Sequence, residues 1–82
     1  MSQFEKTIQR WRRNQKNVRF EEIDSVLLRV GCEKRMRGSH AIYRLGVHVA
    51  VVPFHRPFVL PIYVLNALEL LEKAGIIAGE VK

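Results

Sequence analysis

The chain has 82 residues, of which 48% are hydrophobic, and its formal net charge at pH 7 is +6. This length allows one small domain, and the apolar content excludes a disordered tail. The sequence contains no apolar run long enough to cross a bilayer and no secretory signal, so we expect a cytoplasmic protein that does not bind membranes. The single cysteine, Cys32, excludes an intramolecular disulfide and, without neighbouring ligands, a zinc site.

The excess positive charge lies in the first half of the chain. Residues 1–45 contain eleven Lys and Arg against five acids, whereas residues 46–82 contain three of each. Such a basic patch is typical of a protein that binds nucleic acid or phosphate, because neutralised phosphates release counterions. An acidic protein partner would suit the same patch, and so would a face that is only solvated.

The first predicted element is a short amphipathic helix from Ser2 to about Arg13, with Ser2 as its cap. Its apolar residues recur at helical spacing: Phe4, Ile8 and Trp11. The polar residues 14–17 favour turns and predict a linker after this helix.

A second helix is predicted after the linker and ends at Gly31. Its apolar residues are also helically spaced: Phe20, Ile23, Leu27 and Val30. The first turn of this helix is acidic, as the helix dipole favours.

Three short strands are predicted next, over residues 33–37, 41–45 and 48–52. Gly38-Ser39 and Gly46-Val47 provide the turns, which makes an antiparallel meander. The third strand is apolar at both alternating sets of positions, so we expect both of its faces to be covered. The second and final helices would cover one side, and either the Trp11 helix or a partner subunit would cover the other.

A rigid loop of residues 54–60 follows, because prolines 53, 57 and 61 prevent a regular ladder or helix across it. The final predicted helix begins after this loop and can end at Gly75. Its apolar residues repeat at helical spacing: Ile62, Leu65, Leu68 and Leu71.

The residues that suggest chemistry lie around the first turn of the meander, where Gly38-Ser39 delivers His40 onto an apolar and cationic strand. Histidine can both take and give a proton near neutral pH. Polar and cationic residues that could hold a phosphate beside it are Lys34, Arg35, Arg37, Ser39 and Arg44. This combination indicates a nuclease.

Residues 17 to about 76 resemble the HicA-type toxins of bacterial HicAB toxin-antitoxin systems. The residues that carry the resemblance are Gly38-Ser39-His40, then Tyr43, Pro53-Phe54-His55 and Ala74-Gly75. The resemblance implies an α+β fold like the double-stranded-RNA-binding domain, with a helix, a three-stranded antiparallel sheet and a helix. It also implies an mRNA interferase held in check by a HicB-type antitoxin, with His40 as the catalytic residue.

On this basis we divide the chain into an extra N-terminal helix with its linker (1–16), a HicA-like domain (17–77) and a tail (78–82).

Two features depart from the family. Ala41 replaces a second polar or histidine residue found in many relatives. The loop before the final helix is apolar where relatives tend to be basic, which argues against RNA contact from that loop.

The expected mechanism uses the 2′-hydroxyl that distinguishes RNA from DNA. His40 removes its proton, Arg37 and Arg44 stabilise the developing charge, and His55 or a water protonates the leaving 5′-oxygen. The products are a 2′,3′-cyclic phosphate and a 5′-hydroxyl. We expect no metal or other cofactor, because Glu33 is the only acid between Asp24 and Glu69.

Two other functions fit the same residues. A non-catalytic module could bind double-stranded RNA or DNA by shape through the basic face, and an interaction protein could use that face for an acidic partner.

The expected assembly is a monomer or an antitoxin-linked hetero-oligomer. The nuclease hypothesis requires a solvent-accessible His40, whereas Tyr43 and His48 are expected to be structural.

Overall fold

The computed structural model describes residues 2–79 and contains three helices and three strands. In chain order these are α1 (Gln3–Arg13), α2 (Phe20–Arg29), β1 (Glu33–Arg37), β2 (His40–Leu45), β3 (His48–Pro53) and α3 (Pro61–Lys73). The predicted α+β arrangement with an added N-terminal helix is therefore confirmed. Within the described range, no helix has the length and apolar character needed to cross a membrane. The last three residues of the predicted tail, 80–82, lie outside the described residues.

The three strands form one antiparallel sheet in the order β1-β2-β3. Each connection is a two-residue turn whose first residue is a glycine with positive φ, 60° at Gly38 and 65° at Gly46. Hairpins of this length favour glycine at that position, because a side chain would be strained there. The register places His40 between Arg37 of β1 and Pro53 of β3.

One face of the sheet is packed against the helices and the other is open. Ala41, Tyr43, Ala50 and Val52 are buried, so these positions define the inner face. The alternate positions form what we call the outer face: Glu33, Arg35, Arg37, His40, Ile42, Arg44, Val49, Val51 and Pro53.

The sequence left two covers for the second face of β3, the Trp11 helix or a partner subunit, and the Trp11 helix is wrong for the described residues. Val49 and Val51, on the outer face, are 55% and 39% exposed. The reason is that α1 packs mainly against α3, which itself packs on β3, so α1 lies on the same side of the sheet as α3. A partner subunit is the cover that remains from the sequence prediction.

The added helix α1 belongs to the hydrophobic core. Ser2 and Glu5 form a reciprocal capping box that starts the helix as the sequence predicts. Trp11 is completely buried, and its indole Nε1 donates to Glu22 of α2. Because α3 packs on β3 with one side and on α1 with the other, its buried residues cover a wide arc: Val64, Ala67, Leu68, Leu70 and Leu71.

Candidate active site at the Gly38-Ser39 turn

His40 is the first residue of β2 and its side chain lies on the outer face of the sheet. Two constraints place it there: the tight turn ends at Ser39, and the strand period of two puts Ala41 and Tyr43 into the core. His40 is exposed. His40 is therefore accessible to solvent, as the nuclease hypothesis requires.

Two of the predicted cations lie near His40 on the outer face. Arg37 is its direct partner across the β1-β2 ladder, and Arg35 is one row further along, opposite Ile42. Residues directly opposite in an antiparallel pair have Cβ atoms about 5 Å apart, so a long side chain at position 37 reaches the imidazole. Within residues 2–79 neither arginine forms an ion pair.

The structure does not bring the other two predicted cations to His40. Lys34 lies on the inner face, where its Nζ is 2.8 Å from Oδ1 of Asp24. Arg44 is on the outer face but four residues along the strand, about 13 Å away, and its guanidinium is 2.7 Å from Oε1 of Glu33. Of the four predicted cations, only the two arginines of β1 therefore lie near His40, while Ser39 directly precedes it in the turn.

The second predicted histidine lies at the same end of the sheet. The backbone N–H of Phe54 donates to the carbonyl oxygen of Ser39 at 2.6 Å, so the loop after β3 is tied to the turn before His40. His55 follows in this loop and is exposed, with its Nδ1 3.0 Å from the carbonyl oxygen of Phe58. Because a carbonyl only accepts hydrogen bonds, this contact requires the imidazole proton on Nδ1.

Tyr43, the last residue of the motif, is completely buried and cannot stack on a base. Its hydroxyl donates to Oδ1 of Asp24 at 2.6 Å, and Lys34 binds the same oxygen. Burial, reinforced by the neighbouring Asp24 carboxylate, raises the pKa of Tyr43 well above its usual range. Burial alone would raise the pKa of Asp24, but the hydrogen bonds from Lys34 and Tyr43 outweigh it and lower that pKa below its ordinary value.

Sequence reasoning missed Asp24 as the residue that joins the sheet to α2. The available signal was Tyr43 itself, because a buried tyrosine hydroxyl normally has a hydrogen-bond partner. It also missed two arginines that pack on the loop after β3. Arg19 precedes α2, Arg56 lies in the loop after β3, and each guanidinium packs over a phenylalanine ring.

A family model described as the HicA toxin of bacterial toxin-antitoxin systems matches residues 20–76. The match covers most of the chain and the whole site around His40. The chain belongs to the HicA toxin family. This membership confirms the resemblance seen in the sequence and implies the role of a toxin with an antitoxin partner.

The HicA family match begins at the first residue of α2, so α1 lies outside it. No curated protein and no solved structure matches the chain significantly.

Proposed function

We propose that this HicA toxin is an endoribonuclease that cuts mRNA in the cytoplasm without a metal, using His40 as the general base. The observation that carries the proposal is the placement of an exposed histidine directly opposite an arginine that has no ion-pair partner in residues 2–79. A base and a cation side by side are what transesterification at an RNA phosphate needs.

The proposed reaction transfers the phosphorus from one oxygen to another. His40 takes the proton of the 2′-hydroxyl, and the 2′-oxygen forms a bond to the adjacent phosphorus as the bond to the 5′-oxygen breaks. Arg37 stabilises the charge that grows on the non-bridging oxygens. Protonated His55, oriented by its bond to the Phe58 carbonyl, or a water gives a proton to the leaving 5′-oxygen. The products are a 2′,3′-cyclic phosphate and a 5′-hydroxyl.

The positions of the cations change one part of the expected mechanism. Arg44 is paired with Glu33 and lies about 13 Å along β2 from His40, so we leave the charge on the cut phosphate to Arg37 alone. Arg35 shares the outer face with His40 and is suited to the phosphate next to the one that is cut.

We propose that the outer face also binds the antitoxin, which is of the HicB type. Ile42, Val49 and Val51 are neighbours in the register and form an apolar area beside the arginines of β1. Aliphatic side chains offer no ring on which a base can stack, whereas apolar groups of a protein can pack on them. An acidic antitoxin segment would suit this surface and, once bound, would exclude RNA from His40.

The test compares the unchanged chain with His40→Ala and His48→Ala. His48 is the matched control, because it lies in the same sheet but at the opposite end, paired with Leu45. Each chain is induced in a bacterium without the antitoxin, and RNA ends are analysed. Purified chains are also incubated with RNA in the presence of a chelator.

We expect growth arrest and cyclic-phosphate ends from the unchanged chain and from His48→Ala, and neither from a folded His40→Ala. Cleavage by the purified chain should persist in the chelator. Equal behaviour of all three chains would overturn the proposal. If RNA affinity remained but no chain cut RNA, the non-catalytic binding module would be the correct function.

A further inference from the structure

The loop of residues 54–60 is hydrogen-bonded both to the His40 turn and to the segment before α2. At one end the N–H of Phe54 donates to the carbonyl of Ser39, and at the other the N–H of Val59 donates to the carbonyl of Val18 at 2.9 Å. Phe54 itself is one residue past Pro53, the β3 partner of His40. A strand of RNA leaving His40 around this end of the sheet would therefore meet the loop next.

The ring of Phe54 is held in place but is not covered. The rings of Phe20 and Phe54 pack edge to face, with centroids 5.1 Å apart and planes at 67°. Arg56 lies with its guanidinium 5.0 Å from the Phe54 centroid, and Glu21 holds that guanidinium at 2.9 Å. Nevertheless 40% of Phe54 is exposed, against 7% of Phe20.

A second aromatic and cationic pair joins the same loop to the residue that precedes α2. The guanidinium of Arg19 is 5.7 Å from the centroid of the Phe58 ring. The loop sequence from Phe54 to Leu60 holds only one cation, which argued against RNA contact. Folding changes this, because it adds a second arginine from the residue that precedes α2.

Exposed aromatic rings beside arginines are the combination with which proteins bind single-stranded nucleic acid. Every base has a π-face that can stack on a ring, and the guanidinium attracts the phosphate. A ring that served only packing would gain stability from complete burial. The 40% exposure of Phe54, next to a nuclease site, therefore favours a ligand.

We propose that Phe54, together with Arg19 and Arg56, binds an unpaired base of the RNA strand next to the nucleotide cut at His40. This inference rests on the proposed ribonuclease function and specifies its substrate as single-stranded RNA. A base in a duplex is stacked on both sides and is not available to the ring, so the fold's likeness to a duplex-binding domain does not extend to this site.

The test measures binding of a 2′-O-methylated single-stranded RNA, which cannot be cut because no 2′-hydroxyl is free to attack. Phe54→Leu keeps an apolar side chain against Phe20 and removes the ring, whereas Phe54→Tyr keeps the ring. Phe4→Leu is the control, since it removes a half-buried ring on α1. Unfolding in urea checks the stability of each variant.

We expect Phe54→Leu to weaken single-strand binding roughly 5- to 150-fold, the factor that corresponds to the loss of one stacked base. Phe54→Tyr and Phe4→Leu should bind like the unchanged chain, and Phe54→Leu should leave the affinity for duplex RNA unchanged. The salt dependence should also stay the same in Phe54→Leu, because the ring carries no charge.

Unchanged single-strand affinity in a folded Phe54→Leu would overturn this proposal, and so would an equal loss for duplex RNA. If Phe54→Leu does not fold, Arg19→Gln tests the same site from an exposed position. The proposed function fails by a different result, namely cleavage that survives His40→Ala. The two failures are therefore distinguishable.

Discussion

Asp24 connects three elements through a single carboxylate. It accepts a hydrogen bond from Tyr43 of β2 and pairs with Lys34 of β1, while its own backbone belongs to α2. Tyr43 is three residues from His40 on the same strand. Tyr43 therefore fixes the strand that presents His40. Tyr43→Phe should lower the stability of the fold more than it lowers RNA cleavage.

The lowered pKa of Asp24 predicts how stability changes with pH. An aspartate with a lowered folded pKa binds fewer protons folded than unfolded, so its stabilisation is present above the unfolded pKa of about 3.9 and is lost as the pH falls through the folded value. Asp24→Asn should reduce the free energy of unfolding at pH 7 by about 1–3 kcal/mol, the cost of weakening buried hydrogen bonds to a charged group.

Urea unfolding at pH 7 and at pH 3 measures both parts of this prediction. The difference between the unchanged chain and Asp24→Asn should shrink at pH 3. Glu69→Gln, which removes an exposed pair with Lys73, serves as the control and should have little effect at either pH. A difference for Asp24→Asn that is the same at both values would contradict the assigned role.

At the scale of elements, α1 shows that the part of the chain that folds as one unit is longer than the segment that matches the HicA family. The match to the HicA family starts at residue 20, yet Trp11 is completely buried and bonds to Glu22 of α2. The same carboxylate also pairs with Arg10, and Arg12 pairs with Glu72 of α3 at 3.1 Å. The helix therefore covers a side of α3 that would otherwise be exposed and apolar.

Trp11→Ala should lower the free energy of unfolding by about 3–5 kcal/mol, as expected when a large buried aromatic is truncated. Phe4→Ala, at a half-buried position on the same helix, should cost clearly less. Urea titrations followed by circular dichroism measure both. A chain that begins at residue 17 should fail to fold, and a stable truncated chain would mean that α1 is dispensable.

At the scale of the whole molecule, folding separates the cations that are used in ion pairs from those that are not. Each carboxylate in residues 2–79 has an ion-pair or capping partner: Glu5, Glu21, Glu22, Asp24, Glu33, Glu69 and Glu72. Arg35 and Arg37 are left without one on the outer face. The net charge of +6 is thus concentrated in part beside His40.

The double variant Arg35→Gln, Arg37→Gln should reduce the salt dependence of RNA binding. Each lost phosphate contact makes the negative slope of log K against log salt shallower by about 0.7 for single strands. Loss of both arginines should therefore make it shallower by about 1.4. Arg29→Gln is the matched control, because Arg29 lines the groove between α1 and α2, on the opposite side from the outer face. If Arg29→Gln changed the salt dependence by half as much as the double variant, which is the same change per arginine removed, RNA would have no preferred face.

The sequence by itself determined the elements, the two hairpin turns and the place of His40 just after a turn. These features depend on local rules: helical spacing in α1 and α2, a strand period of two, and glycine at positions of positive φ. Only the tertiary structure decided which cations meet His40, because Lys34 and Arg44 take partners that are 10 and 11 residues away in sequence. It also decided that α1 packs on α3 and leaves Val49 and Val51 open, since the docking of a helix depends on the total apolar surface of the folded chain, which no local pattern contains.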